Sequence, residues 1–276
     1  MNYELVSSRL LLIYQMPKTG SQTVEATLRQ CALPFQIMRF HFLSQTASEL
    51  LQEALSSEPA EDSWKESVQR QLAFRGELSN VLKIRRLLRT AFAPIPKLYV
   101  ITGVRELIGL ALSSLFENRR RFAPGDQELT LELCQELLLR PRMFKLLENW
   151  FDLELKPATG VDVFKTPFPH EKGYAIYESR SARVLVYRIE ALSGLEKMLR
   201  EFLGCEIPAI VNRNVGVEKA YAAQYDSIKK RLRMPSEFVS KRYDNRMMRH
   251  FYSADELEQF RARWTANDVK PSVAAY

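Results

Sequence analysis

The sequence predicts an α/β fold, with a central, mostly parallel sheet flanked by helices and a helical C-terminal part. Three observations carry that expectation. Near-continuous apolar runs at Arg9–Met16, Phe35–Phe42, Lys97–Val104 and Ala182–Ile189 suit strands buried on both faces, as parallel strands are. Helix-compatible stretches separate them, which is the alternation that parallel crossovers require. The 276 residues are 46% hydrophobic and 26% charged, with only 10 Gly and 13 Pro, a globular composition that excludes collagenous and largely disordered chains.

The elements follow in order. The run Arg9–Met16 is broken by Pro17-Lys18-Thr19-Gly20-Ser21, and Gln22–Cys31 then carries Val24, Leu28 and Cys31 on one side of a helix. Phe35–Phe42 enters after Pro34. A long helical stretch follows over Thr46–Phe92, in which Trp64, Val68, Leu72, Val81, Leu82 and Leu88 keep helical spacing. Ala93-Pro94-Ile95-Pro96 stops it, because proline removes a donor and restricts its neighbour. After Lys97–Val104, residues 107–121 are expected to be helical, as are Asp126–Asp152 with a break near Pro141. Lys156–Tyr177, rich in Pro, Gly and aromatics, is expected to be irregular. The run Ala182–Ile189 leads into a helix over Leu192–Leu203. Further helices follow, the last opened by the capping box Ser253-Ala254-Asp255-Glu256. We read 1–276 as one domain, with about 205–276 a helical extension packed on it.

Charge and cysteine usage narrow the function classes. Forty basic against 33 acidic residues give a net charge of +7, a mild excess compatible with an anionic ligand. The basic clusters Arg119-Arg120-Arg121 and Lys229-Lys230-Arg231 are short and lie in helical patterns, so they read as solvated faces and no nucleic acid partner is expected. Cys31, Cys134 and Cys205 form neither a disulfide framework nor a Cys-x-x-Cys site, and are expected as small buried hydrophobes in a reducing compartment. No apolar run approaches the roughly 18–20 residues that span a bilayer. Nor does the first apolar run carry the flanks of a signal peptide. The expected location is cytoplasmic, without stable membrane insertion. Oligomeric state is not legible.

In parallel α/β sheets ligands bind beyond the carboxyl ends of the strands, which singles out the loops after Met16, Phe42, Val104 and Ile189. The first of them, Pro17–Thr23, is a tight Gly-containing turn entering a helix. There successive N–H groups and the helix dipole favour an anion. Lys18 adds a full charge, and Ser21 and Thr23 add hydroxyls. The Walker pattern places its lysine after the glycine; here Lys18 precedes Gly20. The third strand ends in Gly103-Val104-Arg105, without the aspartate that supports Mg²⁺. A Mg-dependent phosphoryl transferase is therefore an alternative and not the leading reading.

This loop resembles the 5′-phosphosulfate loop of sulfotransferases, Pro-Lys-Ser/Thr-Gly-Ser/Thr-Thr. The second signature of that family is an arginine at a strand end with a serine eight positions on, matched by Arg105 and Ser113. Two helical turns bring such a pair together around a phosphate, with a planar fork of donors from Arg and a hydroxyl from Ser. The resemblance implies a three-layer fold of the P-loop type. It implies 3′-phosphoadenosine 5′-phosphosulfate as co-substrate and no metal. Lys18, Thr19, Gly20, Ser21, Gln22 and Thr23 would hold its 5′ end, and Arg105 and Ser113 its 3′-phosphate. Lys18 and His41 would be catalytic, His41 taking the proton of the acceptor hydroxyl. Two positions depart from the family pattern: Gln22 stands where Thr is usual, and Glu106-Leu107 where Asp/Asn-Pro is common.

A narrower resemblance covers more of the chain. Leu155–Tyr177, Arg188-Ile189-Glu190, Asn214–Tyr225 and Arg249–Trp264 are similar to bacterial capsular polysaccharide synthesis proteins, a sulfotransferase-like group. It implies an acceptor hydroxyl on a carbohydrate, or a non-catalytic nucleotide-binding protein of polysaccharide assembly. Plainer readings stand beside these. Lys18 also fits an exposed turn, Arg105 a salt bridge to a helix carboxylate, and His41, between Phe40 and Phe42, a core histidine. His170 and His250 read as surface or capping residues, and the aromatics of Phe164–Tyr177 as packing. Glu190 reads as a structural acid bonding loop backbone, ahead of a base or substrate-positioning role. Asn212, Arg213, Asn214 and Lys219 are suggested to close over the nucleotide.

Overall fold

The computed structural model describes residues 9–31, 33–42, 97–123, 128–140, 142–207, 210–211 and 220–266. The expected helical stretch Thr46–Phe92, and Asn212, Arg213, Asn214 and Lys219, lie outside the described residues.

The fold is α/β. Strand β1 (Arg9–Tyr14) runs into helix α1 (Ser21–Arg29), followed by β2 (Phe35–Phe40) and β3 (Leu98–Val104). Helices α2 (Leu107–Glu117), α3 (Arg119–Phe122), α4 (Leu131–Leu139) and α5 (Arg142–Glu148) come next. A π-helical turn, Phe151–Leu155, continues into α6 (Lys156–Thr159), and β4 (Tyr174–Glu178) and β5 (Ala182–Arg188) follow. A 3₁₀ turn, Ile189–Gly194, opens α7 (Leu195–Leu203). The remainder is helical: α8 (Ala222–Arg231), α9 (Ser236–Tyr243), α10 (Arg246–Phe251) and α11 (Ala254–Trp264).

Among the described residues the sheet has five strands in the order β2-β1-β3-β5-β4. All pairings are parallel except that of β4 with β5. Leu12 pairs with Val100 and Val100 with Val184, so β1, β3 and β5 end side by side. Alternation along these strands divides the core in two. Leu12, Tyr14, Val100, Val104, Val184 and Val186 face α2, α4, α5 and the C-terminal helices. Leu11, Ile13, Ile101, Leu185 and Tyr187 face α1 and α7. Apolar side chains on both faces are why these three strands read as continuous runs.

Helix α2 is buried over Leu107–Leu112, and again at Leu115 and Phe116. The Glu106 side chain caps it, Oε1 accepting from Gly109 N–H at 2.8 Å, while the Tyr243 hydroxyl donates to Oε2 at 2.7 Å. Gly109 is required there, because a Cβ would lie 2.0 Å from Glu106 Oε1. The capping box at Ser253 and Glu256 forms as expected.

Four expectations need correction. The expected irregular segment contains β4, a five-residue edge strand entered from Gly173 at φ +72°, too short and half-exposed for a buried-run signature. The helix over 107–121 is two helices joined at Asn118. Helical structure does not stop at Asp152 but passes through the π-helical turn to Thr159, whereas the break before Pro141 is real: Arg140 takes the extended backbone that a following proline favours. Cys134 is buried, but Cys31 and Cys205 are only half-buried; all three are free. No helix among the described residues is long and apolar enough to cross a membrane.

A candidate anion-binding site at the ends of β1 and β3

The loop between β1 and α1 is held from below. Thr19, fully buried, donates its hydroxyl to Met16 O at 2.7 Å and accepts at its own carbonyl from the Tyr187 hydroxyl at 2.6 Å. Lys18 at φ +65° and Gly20 at φ +89° are both left-handed, which coils the loop tightly before the helix. At Gly20 a Cβ would meet Ile189 Cδ1 and Leu192 Cδ2 at 3.1 Å, so the segment leaving β5 packs directly on the loop. The N-cap of α1 is Gly20, which has no side chain to cap the first turn, and the helix starts directly beyond the loop that follows β1.

Two expected cations converge on this loop. Arg105 leaves the end of β3 and donates from Nη1 to Lys18 O at 3.3 Å and from Nη2 to the Tyr225 hydroxyl at 3.4 Å. No carboxylate among the described residues pairs with it. Lys18 does pair: its Nζ lies 3.0 Å from Glu117 Oε2, which also accepts from the Tyr221 hydroxyl at 2.7 Å. It is not a solvated turn lysine. Ser113 sits two turns into α2, half-buried, and makes no hydrogen bond with a described residue.

His41 stands one residue beyond β2, half-buried, with Nδ1 2.8 Å from Gln15 O at the start of the loop. A carbonyl can only accept, so Nδ1 carries a proton, and in the neutral ring Nε2 is the nitrogen left to accept one. Trp150 Nε1 donates to His41 O at 3.1 Å and pins the backbone. The histidine is thus tied to the start of the loop while its ring lies edge-on to Phe42.

The other candidates lie on the β5 side. Glu190 accepts from the Tyr252 hydroxyl at 3.2 Å and from its own backbone N–H in the turn after β5, so a C-terminal residue joins the loop-backbone bond expected of a structural acid. Solvent reaches the residue, yet protein crowds the carboxyl, and burial lifts it above the usual carboxylate range against the pull of Tyr252 and Arg188. His170 Nε2 lies 3.0 Å from His250 O in the last turn of α10, a capping contact, while both rings pack with Phe168 and are half-buried rather than at the surface. Burial, and then His170 and Arg246, push the His250 imidazole below its ordinary value.

Sequence reasoning expected a helix here but missed that one face of α8 turns toward the site. Of the cluster Lys229-Lys230-Arg231 only the last two are exposed; Lys229 is half-buried, its Nζ 5.5 Å from the Tyr225 ring centroid. Tyr225 in turn packs edge-on to Phe116 of α2 at 5.2 Å. Burial, and then the charges of Arg263 and Arg105, push its ammonium below the ordinary lysine value. Helical periodicity alone puts Tyr225 and Lys229 on one face. Nothing local says which face turns to Arg105.

Residues 125–253 match the family described as "Putative capsular polysaccharide synthesis protein". That similarity covers just under half of the chain and connects it with polysaccharide synthesis. It takes in β4, β5 and α8 to α10, and leaves Lys18, His41, Arg105 and Ser113 outside. No curated protein and no solved structure matches the chain. No group of three or more His, Cys, Asp or Glu able to hold a metal ion is found among the described residues.

Proposed function

We propose that the protein is a sulfotransferase, moving a sulfuryl group from 3′-phosphoadenosine 5′-phosphosulfate to a hydroxyl on a carbohydrate. The observation that carries the reading is the meeting of Arg105 with the β1–α1 loop, within hydrogen-bond reach of Lys18 O across 87 residues of sequence. One end of the site is a helix start with glycine at its N-cap and a lysine two residues before it. The other is an arginine fork with Ser113 two turns along. A nucleotide with a phosphate at each end of its ribose meets both. The carbohydrate acceptor rests on the family similarity over 125–253.

The chemistry follows from what each group can do. The acceptor oxygen attacks sulfur in line, forming one O–S bond as the bond to the 5′-phosphate oxygen breaks. The hydroxyl proton passes to His41 Nε2, whose lone pair is fixed by the Nδ1–H bond to Gln15 O. Negative charge grows on the departing phosphate, where Lys18 and the first N–H groups of α1 receive it. Lys18 must leave Glu117 to do so. Lys18→Ala is expected to lower turnover about 10²–10³-fold with the bisphosphate product still bound.

The direct test is thermal stabilisation by 3′,5′-adenosine bisphosphate against ADP and GDP, with and without Mg²⁺. Ligand at about 100 times its dissociation constant contributes roughly 2.7 kcal/mol, several degrees for a protein of this size. A metal-independent shift with the bisphosphate, lost in Arg105→Ala, supports the reading. A shift confined to ADP or GDP with Mg²⁺ replaces it with phosphoryl transfer.

A further inference from the structure

We propose that Lys229, held by Tyr225 on α8, is a specificity-determining ligand of the 3′-phosphate, so that the nucleotide site is completed by a C-terminal helix. This rests on the sulfotransferase reading and deepens it.

The geometry comes first. Tyr225 and Lys229 are one helical turn apart, and the lysine lies over the tyrosine ring. The Tyr225 hydroxyl accepts from Arg105 Nη2, and its ring packs on Phe116, one turn beyond Ser113 on α2. Tyr225 thus spans from the face of α2 near Ser113 to the strand end that carries Arg105, with Lys229 fixed on it.

Charge supplies the second argument. Arg105, Lys229 and Arg263 approach closely enough for both arginines to disfavour the lysine's charge. None of the three has a carboxylate within ion-pair distance among the described residues. Asp226 and Glu106 are the acids that face Lys229, and neither reaches it. Glu106 is already committed to capping α2 and to Tyr243. Three gathered cations without a paired acid repel one another, and a bound dianion reverses the sign of that interaction. Arginine supplies a planar fork, lysine a point charge and Ser113 a hydroxyl, a set that fits a phosphate monoester.

The test compares 3′,5′-adenosine bisphosphate with adenosine 5′-monophosphate, binding both to the wild type and to Lys229→Met by calorimetry. Methionine keeps the packing on Tyr225, and an unchanged melting temperature of the free variant checks the fold. Bisphosphate affinity is expected to fall about ten- to hundred-fold, the range for a lost hydrogen bond to a charged group. Monophosphate affinity should stay the same. Lys229→Arg, which keeps the cation, should return bisphosphate binding to within about threefold of wild type. Equal losses for the two nucleotides, or no loss for either, overturn the assignment while leaving the sulfotransferase reading intact. Wild-type protein with no preference for the bisphosphate sinks both.

Discussion

The resting protein holds its loop lysine on an acid, and that contact should be measurable as a penalty on nucleotide binding. Lys18 Nζ sits 3.0 Å from Glu117 Oε2, and Tyr221 holds the same oxygen at 2.7 Å. The lysine side chain is 17% exposed and the glutamate 38%. A pair this accessible contributes about 0.2–1 kcal/mol. Glu117→Gln removes the charge and keeps a polar side chain for Tyr221. An anion arriving at the loop then no longer competes for Lys18, so its affinity should rise about 1.4- to 5-fold, the same energy read as a ratio. With Lys18 at the 5′ end, as proposed, the gain should be equal for 3′,5′-adenosine bisphosphate and adenosine 5′-monophosphate. Lys229→Met should separate the two. Calorimetric titrations at low and moderate salt check this, the gain shrinking as salt screens the original pair. Weaker binding in Glu117→Gln, or a gain confined to the bisphosphate, would refute the reasoning.

Two further outcomes follow from the same neighbourhood. His41→Asn keeps a side-chain N–H for Gln15 O but has no ring nitrogen to accept a proton; turnover should drop about 10²–10⁴-fold while bisphosphate affinity holds, and unchanged single-turnover rates would remove His41 from the chemistry. Glu190, whose folded carboxyl is raised by burial, holds its proton more tightly when folded, so its contribution is fully present below the unfolded value of 4.5 and is lost as pH rises through the folded one. Glu190→Gln mimics the protonated form and should melt higher than wild type near pH 7 but not at about pH 4, where both carry an uncharged group. Equal differences at the two pH values would show that its carboxyl is not the titrating group.

What could be read along the chain and what could not divides by the range of the interaction that decides it. Strands β1, β3 and β5 are legible because each is covered on both faces, which forces an unbroken apolar run. The loop is legible because Lys18, Gly20 and the start of α1 act through neighbours in sequence, and the left-handed backbone at Gly20 is a local demand. Strand β4 has no such signature, since only two of its five residues are buried. The π-helical turn at Phe151–Leu155 has no residue pattern that announces it.

Lys229 is the instructive case. In the sequence it is one of three adjacent basic residues, and two of those three do lie exposed, as a solvated face requires. The third is turned inward because Phe116, 109 residues earlier, receives the ring of Tyr225 and so orients α8. A charge-run argument averages over a cluster, whereas a helix places neighbouring residues about 100° apart around its axis. One lysine of a run can therefore serve a site while those beside it serve solvation. The same reasoning separates Arg105 from a plain salt-bridge arginine. Its acid neighbour Glu106 is turned away to cap α2 and meet Tyr243, leaving the guanidinium near Lys229 with no acid paired to it among the described residues. The gathering of positive charge at the end of β3 is thus produced by where the carboxylates are spent. Tyr243→Phe, which loosens Glu106 without touching a cation, would be the variant in which that arrangement relaxes.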